Sequence, residues 1–255
     1  MDMILESKGL NKSYPVGKSN KVDVLKDVNL QVKKGEFIAV MGPSGSGKST
    51  LLYNICGMDR MSSGSVIFNG KELSCLGEKD LSKIRLGKMG FVFQQIHLLK
   101  NLSIFDNIIL SGYLAKHRSR KDINSRAIQL MEQTGITELM NNDITQASGG
   151  QLQRVGICRA LINDPDIVFG DEPTGALDSK ASDEIMGLLG GINESGTTVM
   201  LVTHDIKVAA RTKRVLYMLD GRIAAEKELG KFANGKDELK ERESRLAVWL
   251  HEQGL

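Results

Sequence analysis

Cysteine is scarce in this 255-residue chain, which has three, Cys56, Cys75 and Cys158. An odd number of widely separated cysteines matches neither a disulfide framework nor a thiolate metal site. Cys56 and Cys158 fall in helical patterns, where a free cysteine serves as a small hydrophobe. A long apolar run is missing too: nothing approaches the roughly 18 residues that a bilayer-spanning helix requires. The first residues, Met1-Asp2-Met3-Ile4-Leu5-Glu6, lack the basic start and apolar centre of a signal peptide. Neither sign of charge dominates. A formal net charge of +3 gives no reason to expect a nucleic-acid partner, and the basic cluster His117-Arg118-Ser119-Arg120-Lys121 is read as a solvated loop. Internal repeats and low-complexity segments are absent. What remains is an expected cytosolic, reduced globular chain, whose 41% hydrophobic content suffices for the core of one large domain or a domain with a lobe.

The most informative stretch is Gly42-Pro43-Ser44-Gly45-Ser46-Gly47-Lys48-Ser49-Thr50, which fits the phosphate-binding pattern G-x-x-x-x-G-K-[ST] in full. The apolar run Phe37 to Met41 before it has the character of a buried strand. After it, Leu51, Leu52, Ile55 and Cys56 recur at helical spacing. Strand, glycine-rich loop and helix therefore stand in the order the chemistry needs. The loop presents backbone N–H groups to phosphates and the helix adds its positive N-terminal end. Lys48 is positioned to reach the β- and γ-phosphates, and the Ser49 hydroxyl to ligate Mg2+. The chain is expected to bind a nucleoside triphosphate.

Elsewhere, short strands are expected at Ile4-Leu5, Val22 to Leu25 and Val28 to Val32. Ser65 to Phe68 forms another, closed by the turn Asn69-Gly70. From about Leu98 to Leu161 the pattern is helical, most clearly over Asp122 to Gly135. Buried strands return at Ile167-Val168-Phe169 and Thr198 to Val202. Val215 to Leu219 and Arg222 to Ala225 then form a hairpin about Asp220-Gly221. The last 25 or so residues carry i,i+4 pairs of favourable orientation, Glu238 with Arg242 and Glu241 with Arg245. With the apolar stripe Leu239, Leu246 and Leu250 beside Trp249, they predict a helix lying on its own domain; a partner-binding helix is the alternative.

Two further segments carry chemistry. The strand Ile167 to Gly170 ends in Asp171-Glu172, where a carboxylate can hold Mg2+ and the next can polarise a water as general base. Ser148-Gly149-Gly150-Gln151 opens a helix as an ordinary capping box. Two glycines in a first helical turn nevertheless cost about 1 kcal/mol each against alanine, which a second anion site at that helix N-terminus would explain.

With these motifs in this order, residues 1–230 resemble the ATP-binding cassette ATPases. Tyr14 matches the aromatic that stacks on adenine, Gly42 to Thr50 the Walker A loop, and Gln94 the Q-loop. Ala147-Ser148-Gly149-Gly150-Gln151 matches the signature sequence, Asp171-Glu172 Walker B, Ala176-Leu177-Asp178 the D-loop and His204 the H-loop. Two positions depart from the family's habit: Ala147 where leucine is usual and Gly175 where serine is common. The resemblance implies an α/β fold: a P-loop NTPase (RecA-like) core with an antiparallel β subdomain and a helical signature subdomain at about residues 96–160, followed by a charged helical extension over 231–255.

It also implies a mechanism. Lys48, Gln94, Glu172 and His204 would act on one ATP, with Mg2+ held by Ser49, Gln94 and Asp171. Ser148, Gly149, Gly150 and Gln151 would clamp the ATP of a second copy in a head-to-tail homodimer. The permease must be a separate membrane protein, received at the surface around Gln95 to Gly112, so the chain would work at the cytoplasmic face of a bacterial membrane. The run Asp171 to Lys180 looks most like the bacitracin and lantibiotic resistance ATPases, whose permease carries a large extracellular domain. Macrolide exporters, lipoprotein-releasing ATPases and solute importers are the transport alternatives, and a soluble non-transport cassette the alternative of another class.

Overall fold

The computed structural model describes residues 2–17, 20–233 and 235–254. The chain divides into two compact units, Met1–Leu81 with Thr198–Leu255, and Ser82–Thr197.

In the first unit, β1 (Met3–Val16) pairs antiparallel with β2 (Asn20–Lys33), and β1 also pairs with β4 (Ser63–Phe68). The expected strands Val22 to Leu25 and Val28 to Val32 are thus one strand. Asp27 takes a left-handed φ of 52° between them, with register shifts nearby. A bulge absorbs one residue without ending the ladder, so an interruption in the pattern need not be a strand end. β4 returns through Asn69-Gly70 into β5 (Lys71–Glu72), as the turn dipeptide predicts.

β3 (Phe37–Met41) pairs in parallel with β8 (Thr198–Val202) and β9 (Arg214–Leu219), and β9 continues into β10 (Arg222–Glu228) through the turn Asp220-Gly221. Every residue of β3 and β8 is buried, as continuous apolar strands covered on both faces must be. Helix α1 (Lys48–Ile55) follows β3, with Leu51, Leu52 and Ile55 fully buried. The division between the units falls within α2 (Glu78–Lys88), which the sequence did not announce because only Leu81 on it is buried.

In the second unit, β6 (Met89–Phe93) and β7 (Ile167–Asp171) are parallel, with Phe93 opposite Asp171. Around this pair run α3 (Ile104–Ala115), α4 (Arg120–Thr134), α5 (Gly149–Leu161) and α6 (Ser179–Glu194). Their N-termini are set by Ser103, Ser119, Ser148 and Asp178, each accepting a hydrogen bond from a first-turn amide. Gly135 ends α4 at a φ of 65°, one residue from the expected boundary. Among the described residues no helix is long and apolar enough to cross a membrane.

Between β8 and β9 in sequence lies the short α7 (Ile206–Ala210), and α8 (Lys236–Glu252) follows β10 at the C-terminal end. Leu246 and Leu250 are buried in a cluster with Ala39, Met41, Ala210 and Tyr217, and Leu239 and Trp249 pack against it. Both expected i,i+4 ion pairs form, Glu238 with Arg242 and Glu241 with Arg245. The tail helix therefore packs on its own unit.

The cysteines behave as the composition implies. Cys56 and Cys158 are buried and Cys75 is exposed. Burial pushes the Cys158 thiol up to about 11, against the opposing contact with the Thr134 hydroxyl. A raised thiol pKa leaves almost no thiolate at pH 8, and the thiolate is the reactive form. Titration with an aromatic disulfide reagent at pH 8 is expected to label about one thiol per native chain, Cys75, and all of them in denaturant. Rapid labelling of Cys158 in the native protein would contradict this.

Candidate nucleotide site

The glycine-rich loop leaves the C-terminal end of β3 and is seated on the β9–β10 hairpin of the same unit. The Gly221 N–H donates to the Ser46 carbonyl at 3.1 Å, and the Lys26 N–H donates to the Gly221 carbonyl at 2.9 Å. Gly42, with a φ of 152°, passes so close to β9 that a Cβ there would meet the Met218 carbonyl oxygen at 2.1 Å. Only glycine fits that approach. At the other end Gly47, at a φ of 100°, precedes α1 and offers no side-chain cap to its first amides. Those uncapped N–H groups and the positive helix end face the loop. The Lys48 Nζ donates to the carbonyls of Gly42 and Pro43, both at 2.9 Å, so the ammonium is folded into the loop. The Ser46 hydroxyl is buried there without a hydrogen-bond partner. A cradle that a Cβ would fill, a helix N-terminus with no side-chain cap, an inward ammonium and an orphaned hydroxyl are together the donor set of a polyphosphate site.

Tyr14 stands at the edge of the same unit, 37% exposed. Its hydroxyl donates to Asp59 at 2.5 Å, and the Lys12 Nζ lies 4.5 Å from its ring centroid while donating to Asp59 and to the Arg60 carbonyl. Burial and the adjacent Asp59 raise the Tyr14 hydroxyl above its ordinary value, with Thr50 opposing. Burial alone would raise Asp59, but hydrogen bonds from Lys12 and Tyr14 hold its carboxyl below the usual range. Lys12 and Asp59 were not read as functional from the sequence, and no motif announces them.

His204 is exposed just past β8. The Thr203 N–H donates to the Val40 carbonyl at 3.1 Å, so Gly42 and His204 emerge from the C-terminal ends of neighbouring parallel strands. Asp205 then caps α7 through the Lys207 amide at 2.7 Å. Ligands of parallel α/β sheets bind at this end of the strands.

The second unit repeats that arrangement. The Gln94 N–H donates to the Asp171 carbonyl at 2.9 Å, so Gln94 and the Asp171-Glu172 pair leave adjacent strand ends. Glu172 takes a left-handed φ of 49°, a conformation uncommon outside glycine and frequent at functional positions. At the Gly175 departure, a Cβ would lie 3.0 Å from Gln94 Nε2, the mobile end of a side chain. Behind Gln94, the buried Gln153 amide donates to the Phe93 carbonyl at 3.2 Å, and Arg159 donates to the Ile96 and His97 carbonyls. A glutamine on the apolar face of α5 was the sequence signal for this support, and it was missed.

At Ser148 the capping box forms in both directions, with Ser148 Oγ accepting from the Gln151 N–H and Gln151 Oε1 accepting from the Ser148 N–H. Ser148 and Gly149 are exposed. The two glycines have a second reason beside an anion. A Cβ on Gly150 would lie 3.2 Å from Ala181 Cβ on α6, and one on Gly149 would lie 3.6 Å from Leu177 Cδ2. At Gly150 packing against α6 therefore favours a small residue, independently of the anion site expected there.

Residues 25–175 match the family model described as ABC transporter. The chain belongs to the ABC transporter family. It is 41% identical over 228 residues to the bacitracin export ATP-binding protein BceA of Halalkalibacterium halodurans, covering 89% of both chains. It is 44% identical over 231 residues to the macrolide export ATP-binding/permease protein MacB 1/2 of Paracoccus denitrificans, covering 89% of this chain and 34% of that one. The chain thus spans about a third of the length of the macrolide-export relatives it matches. Among solved structures, the dimeric post-hydrolysis state of the ATP-binding cassette MJ0796 bound to ADP and Pi is similar with a TM-score of 0.83 and 40% identity, over 89% of this chain and 100% of that one. The cassette cbiO1 of Clostridium perfringens is similar with a TM-score of 0.80 and 30% identity, over 98% and 96%. The expected fold, a P-loop ATPase cassette of mixed α/β structure, is the fold observed.

Proposed function

We propose that this chain is the ATP-hydrolysing subunit of an ABC transporter that drives a separate membrane permease in resistance to antimicrobial peptides of the bacitracin and lantibiotic type. The observation that carries the ATPase reading is the phosphate cradle built by Gly42, Ser46, the uncapped N-terminus of α1 and the inward Lys48. The peptide-resistance reading is supported by the likeness to BceA over 89% of its length and by the run Asp171 to Lys180.

In this reading the loop amides and Lys48 hold the ATP phosphates, and Tyr14 stacks on the base. The Ser49 hydroxyl, the Gln94 amide and the Asp171 carboxylate would supply oxygen ligands of the kind Mg2+ prefers, and the ion would neutralise phosphate charge. Glu172 accepts a proton from the water that attacks the γ-phosphorus, and ADP departs as leaving group. His204 contacts the γ-phosphate and keeps water and Glu172 in line. Ser148, Gly149, Gly150 and Gln151 of a second copy complete the charge stabilisation, so hydrolysis requires a homodimer and its product opens it. The likeness to the dimeric MJ0796 cassette supports that assembly. Work of this kind is done at the cytoplasmic face of a bacterial membrane, through a permease bearing a large extracellular domain.

Macrolide export is the second reading, favoured by the 44% identity to MacB. Affinity capture of the chain from detergent-solubilised host membranes separates the two. A permease of about ten spans with a large extracellular domain supports peptide resistance. A permease of about four spans supports macrolide export or lipoprotein release, and recovery of soluble partners alone overturns the transport role.

A further inference from the structure

Helix α7 has five residues, Ile206–Ala210, too few to be stable without tertiary support. At its front end are Asp205, its N-cap, and His204. Its far end is held by one side chain from the tail helix. Arg242 is 5% exposed. It donates through Nε to the Ala210 carbonyl at 2.7 Å and through Nη2 to the Thr212 carbonyl at 2.6 Å. The same guanidinium reaches the Gly230 and Lys231 carbonyls at 3.1 and 3.3 Å and pairs with Glu238 at 3.4 Å. Ala210 is the last residue of α7, where carbonyls have no intrahelical partner and a cation is favoured by the helix dipole. Ile206, Ala209 and Ala210 pack with Leu246 and Leu250 of α8 in one cluster.

We propose that Arg242 is a positioning residue for His204, which it acts on by clamping the C-terminal end of α7. The proposal rests on the reading that His204 contacts the γ-phosphate during hydrolysis. Two anchors define where His204 stands. The Thr203 amide bonded to Val40 fixes the approach from β8, and α7 fixes the departure. A five-residue helix moves as one piece, so slack at Ala210 reaches Asp205 within a single turn and a half. The planar fork matters as well as the charge, because several carbonyls are served at once and an ammonium cannot reproduce that geometry.

The test is steady-state hydrolysis and nucleotide binding by the purified full chain, as wild type, Arg242→Lys, Arg242→Gln, His204→Ala and the double variant His204→Ala with Arg242→Gln. Arg242→Gln is expected to lower kcat about tenfold with ATP affinity changed less than about twofold, and Arg242→Lys to lower kcat by about threefold. In the His204→Ala background, Arg242→Gln is expected to cause less than about a twofold further loss, since the residue it positions is gone. Arg242→Lys keeps the charge and most of the packing, so it carries the measurement if the glutamine variant fails to fold. Unchanged kcat in a folded Arg242 variant, or the same fold-loss with and without His204, overturns the proposal. If His204→Ala alone hydrolyses ATP at the wild-type rate, the reading of His204 fails instead.

Discussion

Exchange of Glu172 for glutamine is expected to leave ATP binding intact and to lower hydrolysis by about 100- to 10,000-fold, the range a general base contributes. Glutamine has nearly the shape of glutamate but cannot accept the proton of the attacking water. The left-handed backbone at 172, with a φ of 49°, bears on glutamine as it does on glutamate, since the two share the same backbone and Cβ. The loop that grips the phosphates, with Lys48 folded onto the Gly42 and Pro43 carbonyls, is unaffected. With binding intact and turnover blocked, ATP that joins two copies stays in place. Light scattering on Glu172→Gln with ATP is therefore expected to report a dimer of about twice the chain mass, where wild type returns to monomer as ATP is consumed. Turnover near the wild-type value would remove Glu172 from the role of base.

Alanine at Gly42 is expected to weaken ATP binding by about 100-fold or more, equivalent to ~2.7 kcal/mol. The added methyl would stand 2.1 Å from the Met218 carbonyl oxygen, a backbone atom in a buried strand that cannot step aside. Relief requires the start of the loop to lift from β9. That movement takes the Gly42 carbonyl away from Lys48 and shifts the amides that follow. Gly45→Ala is the control, since at a φ of 81° it has backbone strain but nothing within 4 Å of its Cβ. Strain of that kind costs about 1–3 kcal/mol on folding, and ATP affinity should change by less than about tenfold because the loop need not move off its seat. Circular dichroism checks that both variants are folded, and calorimetry with a non-hydrolysable ATP analogue reads the affinities. Equal losses at the two positions would mean that strain, and not the clash with β9, governs the loop.

The legible parts of the site share a property: their geometry is decided within a few residues. The phosphate loop is written in glycines whose backbone freedom is local, and Lys48 folds back onto carbonyls five and six residues before it. The Ser148–Gln151 box closes over three residues. Asp220-Gly221 makes its hairpin turn with φ values of 48° and 81° through its own preferences. Buried strands such as β3 and β8 are announced by unbroken apolar runs. Where local signals were weak the reading fell short, as at α2 with one buried residue, and at the bulge that joins two expected strands into β2.

By itself, then, the sequence determined the order of motifs, the phosphate-binding loop, the carboxylate pair at a strand end and the membership in a family of ATPases. The loop and the carboxylate pair are contiguous patterns, and the order of the motifs follows from their place in the chain. Only the tertiary structure decided what supports them. It set the Met218 carbonyl against Gly42, tied Tyr14 to Asp59 and Lys12, put the Gln153 amide behind Phe93 and closed Arg242 on the end of α7. These partners lie tens to hundreds of residues apart. No periodicity links them, and each contact exists because the folded strands and the packed tail helix bring groups distant in sequence together.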